Sequence, residues 1–512
     1  MRIKRIIIAL LCSIMLIGCG QSAAVEFTSM EEEPILSYEV PVSTPGILVN
    51  QLGYITGSTK EVIFVGREIP TLFHVVEAQS GEIVYTGYPE DKEYNETLGE
   101  YNSYGDFTEF QTPGTYYIEA PILGKSYTFT IDESIYDTVL QEATRQYYYN
   151  RCGITLTKEY AGEAAHNACH MEKALLQEDT SISLNVTGGW HQDETGQKDV
   201  VIAARTISAL LLSYELHEDV FTDDSGIPES GNGVPDILDE IKYEIEWLLK
   251  MQDPKTGAIY EGITVYTQNN TVQGKTVDSY IKPSSVEAEK AFAMALAKFS
   301  YLYQNYDTAY ATSCLKAADR AWKHMELNDT EKKADSLKFA AAAELYRASG
   351  QSSFQSYIIE YLRSEEYQKE LDEIELIGCV TYISTKHTVN VELCSKIVKT
   401  LMSQAEDIAK TAKQSVYLTV GNEEQNNSDQ LLLEMMYLSV VNHIISNHEY
   451  ETVIENHLHY LLGRNGKAVS YIDYEGEENY ENVDNSVNIM KQFEADSEFI
   501  FMLSGIIESY QR

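Results

Sequence analysis

The hydrophobic period of the chain changes once, just after residue 131, and this change constrains the fold more than any other feature. Before it, short runs rich in β-branched and aromatic residues alternate with turn residues such as Ser80-Gly81 and Thr112-Pro113-Gly114. The runs are 47–49, 62–65, 72–76, 83–85, 114–118 and 127–131. Because short strands with no helix between them favour an antiparallel sandwich, residues 46–131 are predicted to form a small all-β domain.

From about Asp137 onward, apolar residues recur at helical spacing. The predicted helices are 200–216, 237–251, 286–303, 310–322, 337–347, 391–412 and 431–446. Only short extended pieces interrupt them, at 185–186, 259–260 and 381–383. About a dozen helices without strand partners favour an all-α toroid of helical hairpins over residues 136–512 and argue against an α/β sheet.

The N-terminus carries an export signal. Arg2, Lys4 and Arg5 precede an apolar run over 6–17, which is too short to span a membrane and ends just before Cys19. This pattern resembles a bacterial lipobox, so residues 1–18 are predicted to be a lipoprotein signal peptide. Cleavage near Ala23 and Ala24 is the alternative. Residues 19–45 are acidic and proline-bearing, a composition typical of a flexible tether. The protein is thus expected to be exported and lipid-anchored to the outward face of the bacterial cell membrane.

Lipidation of Cys19 leads to the first testable prediction. A Cys19→Ser variant should leave the membrane fraction and appear in the medium or a soluble fraction, because it lacks the thiol that would carry the lipid. Immunoblotting of separated fractions checks this. Unchanged membrane retention of the variant would contradict the lipobox interpretation.

The net charge argues against several classes of binding partner, and the cysteine count argues against a disulfide framework. The formal net charge is −41, which disfavours binding to nucleic acid or anionic lipid and suits an uncharged ligand. Contact with the membrane is therefore expected only through the lipid anchor. Beyond Cys12 and Cys19 five cysteines remain, and an odd remainder argues against a disulfide framework.

Several motifs, in order along the chain, resemble one known family. Residues 46–54 (Gly-Ile-Leu-Val-Asn-Gln-Leu-Gly-Tyr) resemble the first strand of the immunoglobulin-like domain that precedes many bacterial cellulases. Residues 148–153, 166–170, 188–191, 227–240 and 460–465 are similar to motifs of glycoside hydrolase family 9. This resemblance implies an immunoglobulin-like sandwich followed by an (α/α) barrel of six helical hairpins. It also implies a cleft for β-1,4-glucan or a related neutral glycan, and hydrolysis with inversion.

Inverting hydrolysis needs a carboxylic acid and a carboxylate base about 6.5–9.5 Å apart, and this sequence departs from the family at both. The family's base loop reads Gly-Gly-Trp-His-Asp-Ala-Gly-Asp, and an ungapped alignment puts its two aspartates at Gln192 and Thr195. Neither side chain can accept a proton at neutral pH. Asp193 and Glu194 are the fallback candidates for the base, although both can also be ordinary exposed loop acids.

The C-terminal end departs further from the family. No His-His-Arg cluster follows residues 460–465, and the expected Asn-Glu pair falls near Asn485-Ser486 or Ile489-Met490. Glu478, Glu481 and Glu494 are nearby carboxylates, with Glu494 as the fallback acid, although acidic runs are often solvated faces. Hydrolysis is therefore expected to be weak or lost while glycan binding is kept.

Cys152, Cys169, His170 and His191 form a candidate zinc site. Two thiolates and two imidazoles suit tetrahedral, structural zinc, and the resemblance implies such a site in some family members. A Cys152–Cys169 disulfide and unliganded buried side chains are the alternatives.

Two further interpretations concern calcium and the sugar. Glu229, Asp236, Asp239 and Glu240 offer oxygen ligands for calcium, although acids after Pro235 also suit a helix N-terminus. Trp190 is the candidate aromatic platform for a sugar ring.

Three functional hypotheses remain open at this point. The first is an active cellulase-class enzyme with a displaced acid and base. The second is a non-catalytic surface protein that binds glycans. The third is an enzyme for another glycan that uses Asp193, Glu194 or Asp199.

Overall fold

The computed structural model describes residues 45–96, 99–272, 275–330, 335–365, 367, 371–420, 428–473 and 488–511. The predicted signal peptide, Cys19 and nearly all of the predicted tether lie outside these residues, as do Glu478, Glu481 and Asn485-Ser486. None of the helices in these ranges combines the length and the apolarity needed to cross a bilayer.

The N-terminal domain is a sandwich of two sheets. Its strands are β1 (Ile47–Leu48), β2 (Gly53–Tyr54), β3 (Glu61–Gly66), β4 (Phe73–Glu77), β5 (Ile83–Gly87), β6 (Glu90–Asn95), β7 (Glu100–Asp106), β8 (Gly114–Ala120) and β9 (Gly124–Ile131). One sheet has the order β1-β3-β7-β6 and the other β2-β9-β8-β4-β5. Aromatic side chains such as Phe64, Phe73 and Phe129 fill the space between them. Strands β6 and β7 were not predicted. Strand β6 is a charged edge strand without apolar alternation, and the buried positions of β7 include the polar residues Asn102 and Ser103.

Twelve longer helices follow in the described residues. They are α1 (Asp137–Tyr149), α2 (Val200–Leu216), α3 (Asp236–Lys250), α4 (Val286–Tyr303), α5 (Thr308–Asn328), α6 (Ser336–Ser349), α7 (Ser352–Arg363), α8 (Glu373–Ser384), α9 (Val391–Gln414), α10 (Ser428–Ile444), α11 (His448–Leu461) and α12 (Phe493–Gln511). The even-numbered helices contact one another in a closed ring, α2-α4-α6-α8-α10-α12-α2, and the odd-numbered helices lie outside it. The predicted fold class, an immunoglobulin-like sandwich followed by an (α/α) barrel of six hairpins, is confirmed.

Two details of the sequence prediction are wrong. Residues 381–383 lie inside α8, because a position in the buried inner ring outweighs the strand preference of Thr381 and Ile383. The helical part also contains a five-stranded sheet. Its strands are β10 (Ala174–Leu176), β11 (Ser183–Leu184), β12 (Lys198–Asp199), β13 (Gly262–Val272) and β14 (Lys275–Ile281), in the order β11-β10-β14-β13-β12. The sequence analysis predicted no strand between 262 and 281, where Thr, Asn, Gln and Lys interrupt the apolar residues.

The sandwich is joined to the barrel through two of the motifs singled out in the sequence. The backbone N–H of Gln51 donates to the carbonyl of Leu462 (2.8 Å), and the Gln51 side chain donates to the carbonyl of Ala468 (2.7 Å). Gly463 has a φ of 112°, and a Cβ there would lie 2.4 Å from the Gln51 amide nitrogen. Arg464 is fully buried beside Glu61 of β3 (3.7 Å). The motifs at 46–54 and 460–465 therefore serve docking of the two domains.

A buried ion cluster links three inner helices. Lys298 Nζ lies 2.8 Å from Glu215 and 3.3 Å from Glu344, and Arg347 pairs with both carboxylates. The side chains of Lys298, Glu344 and Arg347 are at most 1% exposed. Two cations and two anions thus neutralise each other inside the ring.

This cluster leads to a stability prediction. Glu344→Gln leaves buried positive charge without its partner, so it should lower the free energy of unfolding by about 3–5 kcal/mol. Urea denaturation followed by circular dichroism measures the change. Lys323→Met, which removes the exposed Lys323–Asp319 pair, is the control and should change stability far less. Equal effects of the two substitutions would contradict this account.

Candidate active site and metal-ligand cluster

The inner helices begin together at one end of the barrel, which we call the mouth. Asp199, Ser285, Asp335 and Asp372 each cap the start of an inner helix by accepting a backbone N–H bond. Neighbouring starts are joined side to side, since the Ser336 hydroxyl donates to Asp372 (2.7 Å). The mouth is therefore lined by polar groups on rigid helix ends, where a binding site can be built.

The loop from Gly188 to Asp199 leads into α2 at this mouth. Gly189 has a φ of 74°, and a Cβ there would lie 2.6 Å from the Trp247 ring. Its carbonyl accepts from the N–H of Cys152 (2.7 Å), and the N–H of Trp190 donates to the Glu244 carboxylate (2.6 Å). The two glycines of the motif thus allow the loop to pack closely against the end of α1 and against α3.

Trp190 does not face the mouth. Its side chain is fully buried, with its ring 4.9 Å from that of Tyr147 and 5.9 Å from that of Phe493. A ring without exposed surface cannot stack on a sugar, so the prediction that Trp190 is the sugar platform is wrong. Its role is to pack the loop onto α1 and the start of α12.

Gln192 is fully engaged by the loop itself. Its amide nitrogen donates to the carbonyl of Asp199 (2.8 Å), and its amide oxygen accepts from the N–H of Asp199 (2.7 Å). The Asp199 carboxylate caps α2 through the N–H groups of Val201 and Ile202 and lies 3.2 Å from Lys282 Nζ. Gln192 and Asp199 therefore hold the two ends of the loop together.

Asp193 is likewise turned into the loop. Its Oδ1 accepts from the N–H and hydroxyl of Thr195 (2.8 and 2.7 Å) and from the N–H of Gln197 (3.1 Å). Partial burial raises the pKa of Asp193, but these hydrogen bonds outweigh it and hold the pKa below its usual range. Glu194 and Thr195 are exposed beside it. In this arrangement the Asp193 carboxylate stabilises a turn.

Glu494 lies in the first turn of α12, at the mouth, and its side chain is 42% exposed. Its Oε1 is 3.3 Å from Nε of Arg205, and Arg205 Nη2 is 3.1 Å from Oε2 of Glu373 at the start of α8. Burial raises the pKa of Glu373 to about 7, although Arg205 acts in the opposite direction. One arginine thus joins two carboxylates from different helices at the mouth.

The four predicted zinc ligands meet next to this loop. The sulfurs of Cys152 and Cys169 are 3.8 Å apart, and both thiols are free. Cys152 Sγ is 3.5 Å from His170 Nδ1, Cys169 Sγ is 3.4 Å from His191 Nε2, and the two nitrogens are 3.3 Å apart. Zinc bonds of about 2.3 Å to sulfur and about 2.0–2.1 Å to nitrogen give tetrahedron edges of roughly 3.8, 3.5 and 3.3 Å. The donor set and its spacing therefore fit tetrahedral zinc.

Comparison with known proteins agrees with this architecture. The sequence model of the glycosyl hydrolase family 9 matches residues 136–494. The sequence model of the cellulase N-terminal ig-like domain matches residues 42–125.

The chain belongs to glycosyl hydrolase family 9.

Curated relatives cover most of this family 9 chain. Endoglucanase D of Acetivibrio thermocellus is 27% identical over 83% of this chain and 72% of its own length. The cellodextrinase of Butyrivibrio fibrisolvens is 27% identical over 85% of this chain and 86% of its own length. The crystal structure of a metagenome-derived family 9 endoglucanase superposes on this chain with a TM-score of 0.80. The two chains are 23% identical, and the match covers 90% of this chain and 99% of the endoglucanase. At 23% identity, the similarity to this crystal structure shows a shared fold.

The candidate calcium ligands of this family 9 chain have protein partners. Arg151 pairs with Glu229 (2.9 Å) and with Glu240 (2.6 Å). Asp239 accepts from the Asn232 amide (2.9 Å), and Asp236 accepts from Ser225 and Ser230 (2.6–2.7 Å). These acids are arranged around an arginine and hydroxyl groups, and calcium stays a prediction.

Sequence reasoning missed Arg205 and Glu373. An acid in the first turn of a helix is common for reasons of helix electrostatics, so Glu373 carried no signal of its own. Arg205 lies among apolar residues of α2, where a single cation at the mouth end is the signal that could have indicated it.

Proposed function

We propose that this family 9 chain is an exported, lipid-anchored protein that binds β-1,4-glucan or a related neutral glycan at the mouth of its barrel and hydrolyses it weakly or not at all. Relatives named endoglucanase and cellodextrinase support the substrate class. The lipobox-like N-terminus supports the anchoring, and the net charge of −41 supports an uncharged ligand.

The observation that carries the proposal is the state of the base loop. Gln192 occupies the first aspartate position, and its amide is bonded to both backbone groups of Asp199. Asp193, the nearest carboxylate, accepts three hydrogen bonds from its own turn. All three bonds end on Oδ1, so moving the Asp193 side chain out of its turn towards a water at the mouth would break them. A general base contributes about 10²–10⁴-fold to such reactions, so its loss fits a chain that binds better than it cleaves.

An active glycosidase with displaced carboxylates is the second candidate. Its specific support is the Arg205 arrangement, in which the partly exposed Glu494 shares one guanidinium with the buried Glu373. Burial raises the pKa of the Glu373 carboxyl, while Arg205 lowers it. In this candidate Glu494 is the carboxylate at the mouth that reaches the substrate, and Arg205 and Glu373 position it.

We further propose that the Cys152, Cys169, His170 and His191 cluster holds one structural zinc ion. All four positions of a tetrahedron are supplied by the protein, which leaves no open position for chemistry at the metal. Zinc there would tie the end of α1 to the base loop.

The two candidates are separated by one set of variants. Wild type, Asp193→Ala, Glu194→Ala and Glu494→Ala are compared for reducing-sugar release from soluble β-glucan, with retention in a β-glucan gel measured in parallel. The proposal expects retention for wild type and little sugar release from any of the four. Robust wild-type release that one substitution abolishes would overturn the proposal and identify the working carboxylate. Failure of the wild type to be retained would contradict the binding half.

A further inference from the structure

A second group of metal-ligating side chains lies at the end of the barrel opposite the mouth. His217 follows the last residue of α2, His443 is in the last turn of α10, and Glu508 is near the end of α12. Along α12, fourteen residues separate Glu508 from Glu494, which corresponds to about 21 Å. We call His217, His443 and Glu508 the rim cluster.

The three side chains converge although they are far apart in sequence. His217 Nδ1 is 2.8 Å from Glu508 Oε2, and the rings of His217 and His443 meet edge to face with centroids 5.7 Å apart. One nitrogen from each ring and one carboxylate oxygen all lie within 4.8 Å of one another. The far ends of three neighbouring inner helices thus bring the three ligand atoms together.

The surroundings leave room for an ion. The cluster lines a cavity of about 200 Å³, whose wall also carries Asn442 and Glu451. Gly505 lies one turn before Glu508, and a Cβ there would lie 3.3 Å from His217 Nε2. The glycine therefore lets the His217 ring approach α12 closely. The acidic wall and the net charge of −41 attract cations.

We propose that the rim cluster binds a divalent transition-metal cation of the zinc type. Two imidazoles and one carboxylate are ligands that zinc, nickel, cobalt and copper accept readily, whereas calcium and magnesium prefer a shell of oxygens. At metal–ligand distances of about 2.1 Å, tetrahedral zinc needs ligand atoms roughly 3.4 Å apart. His217 Nδ1 and Glu508 Oε2 are 2.8 Å apart, so they exchange a hydrogen bond for the metal by separating by roughly half an ångström. Three protein ligands leave at least one position for water.

The bound cation clamps the far ends of α2, α10 and α12. Helix α12 also carries Glu494 at its other end, and α2 carries Arg205, so the clamp stiffens the two helices that present these side chains at the mouth. With three ligands and no thiolate, the rim cluster is the weaker of the two metal sites. It fills when zinc is added, whereas the cysteine-containing cluster retains zinc through purification.

Zinc alone is the probe. The purified full-length chain is equilibrated with excess zinc and desalted into a buffer of fixed free zinc, and the metal bound per chain is measured by mass spectrometry. Wild type is expected to hold one equivalent more than His443→Ala and Glu508→Gln. Each rim variant should bind zinc more than about 100-fold more weakly than wild type. Removing a residue that only supports a metal ligand costs about 10–100-fold in metal affinity, and these residues are the ligands themselves. His74→Ala, which removes a half-buried histidine of the sandwich that is hydrogen-bonded to Thr86, is the control and should match wild type.

Two readouts keep the result specific. Added zinc should raise the Tm of wild type and His74→Ala but not that of His443→Ala or Glu508→Gln, because only a cation bound to the folded state stabilises it. His443 is exposed and Glu508→Gln keeps the shape of the side chain, so both variants should fold. Equal zinc content and equal Tm shifts in wild type and both rim variants would overturn the proposal and leave the cluster as a hydrogen-bonded contact. If Cys169→Ser loses zinc and the two rim variants do not, the zinc is bound at the cysteine-containing cluster and the rim-cluster proposal is wrong.

Discussion

A Gln192→Asp, Thr195→Asp double variant is expected to release reducing sugar from soluble β-glucan at least about 10²-fold faster than the wild-type chain. The two substitutions restore carboxylates at the positions where the family holds the attacking water, and a general base is worth about 10²–10⁴-fold. Initial rates at matched protein concentration measure the gain.

The matched control for this gain is Gln197→Asp, which adds a carboxylate to the same loop at a position that the family does not use as a base. It should leave the rate unchanged. Gln192→Asp also removes the amide contacts to Asp199, so the Tm of each variant is recorded to confirm that the loop change does not unfold the chain. A folded double variant that binds β-glucan but cleaves no faster than wild type would show that loss of the base is not what limits turnover.

The second large effect concerns zinc at the cysteine-containing cluster. Protein purified without added zinc should carry one equivalent per chain, and Cys169→Ser or His170→Ala should lose it. Because binding to a site formed only in the folded state is folding free energy, both variants should melt several degrees lower. Elemental analysis and thermal unfolding measure the two effects.

Cys394→Ser is the matched control for these variants, since this partly buried thiol lies outside the cluster. It should keep the zinc and nearly all of the Tm. A complete Cys152–Cys169 disulfide in a peptide map of the native protein would contradict the zinc proposal, because the thiolates would then not be available as ligands.

The fold was predictable from the sequence because the spacing of apolar residues and the family motifs indicated the same two domains. Helices α2 and α4 have the predicted bounds, since each lies in the inner ring and its apolar pattern runs from cap to end. The hairpin β13–β14 was missed because Ile263, Val265 and Ile281, its core-facing residues, are too few to show an alternating pattern among the polar residues around them.

The candidate site was predictable only where neighbours in space are neighbours in a recognisable motif. Cys152, Cys169, His170 and His191 lie within 40 positions of one another, and the resemblance connects them. The Arg205–Glu373–Glu494 group and the rim cluster draw on helices up to about 290 residues apart. Only closure of the inner ring brings such residues together, and no local pattern encodes that closure. Trp190 was misassigned for a related reason, since a tryptophan in a loop motif looks exposed until its neighbours in space are known.

The most direct test of the account measures binding and hydrolysis together in the purified wild-type chain across a panel of soluble β-glucans, cello-oligosaccharides and other neutral glycans. The chain should bind at least one β-1,4-linked glucan directly. It should release reducing sugar at least about 10²-fold more slowly than an active family 9 endoglucanase assayed alongside. Release at a rate equal to that endoglucanase, or absence of binding to every glycan in the panel, would contradict the proposed function.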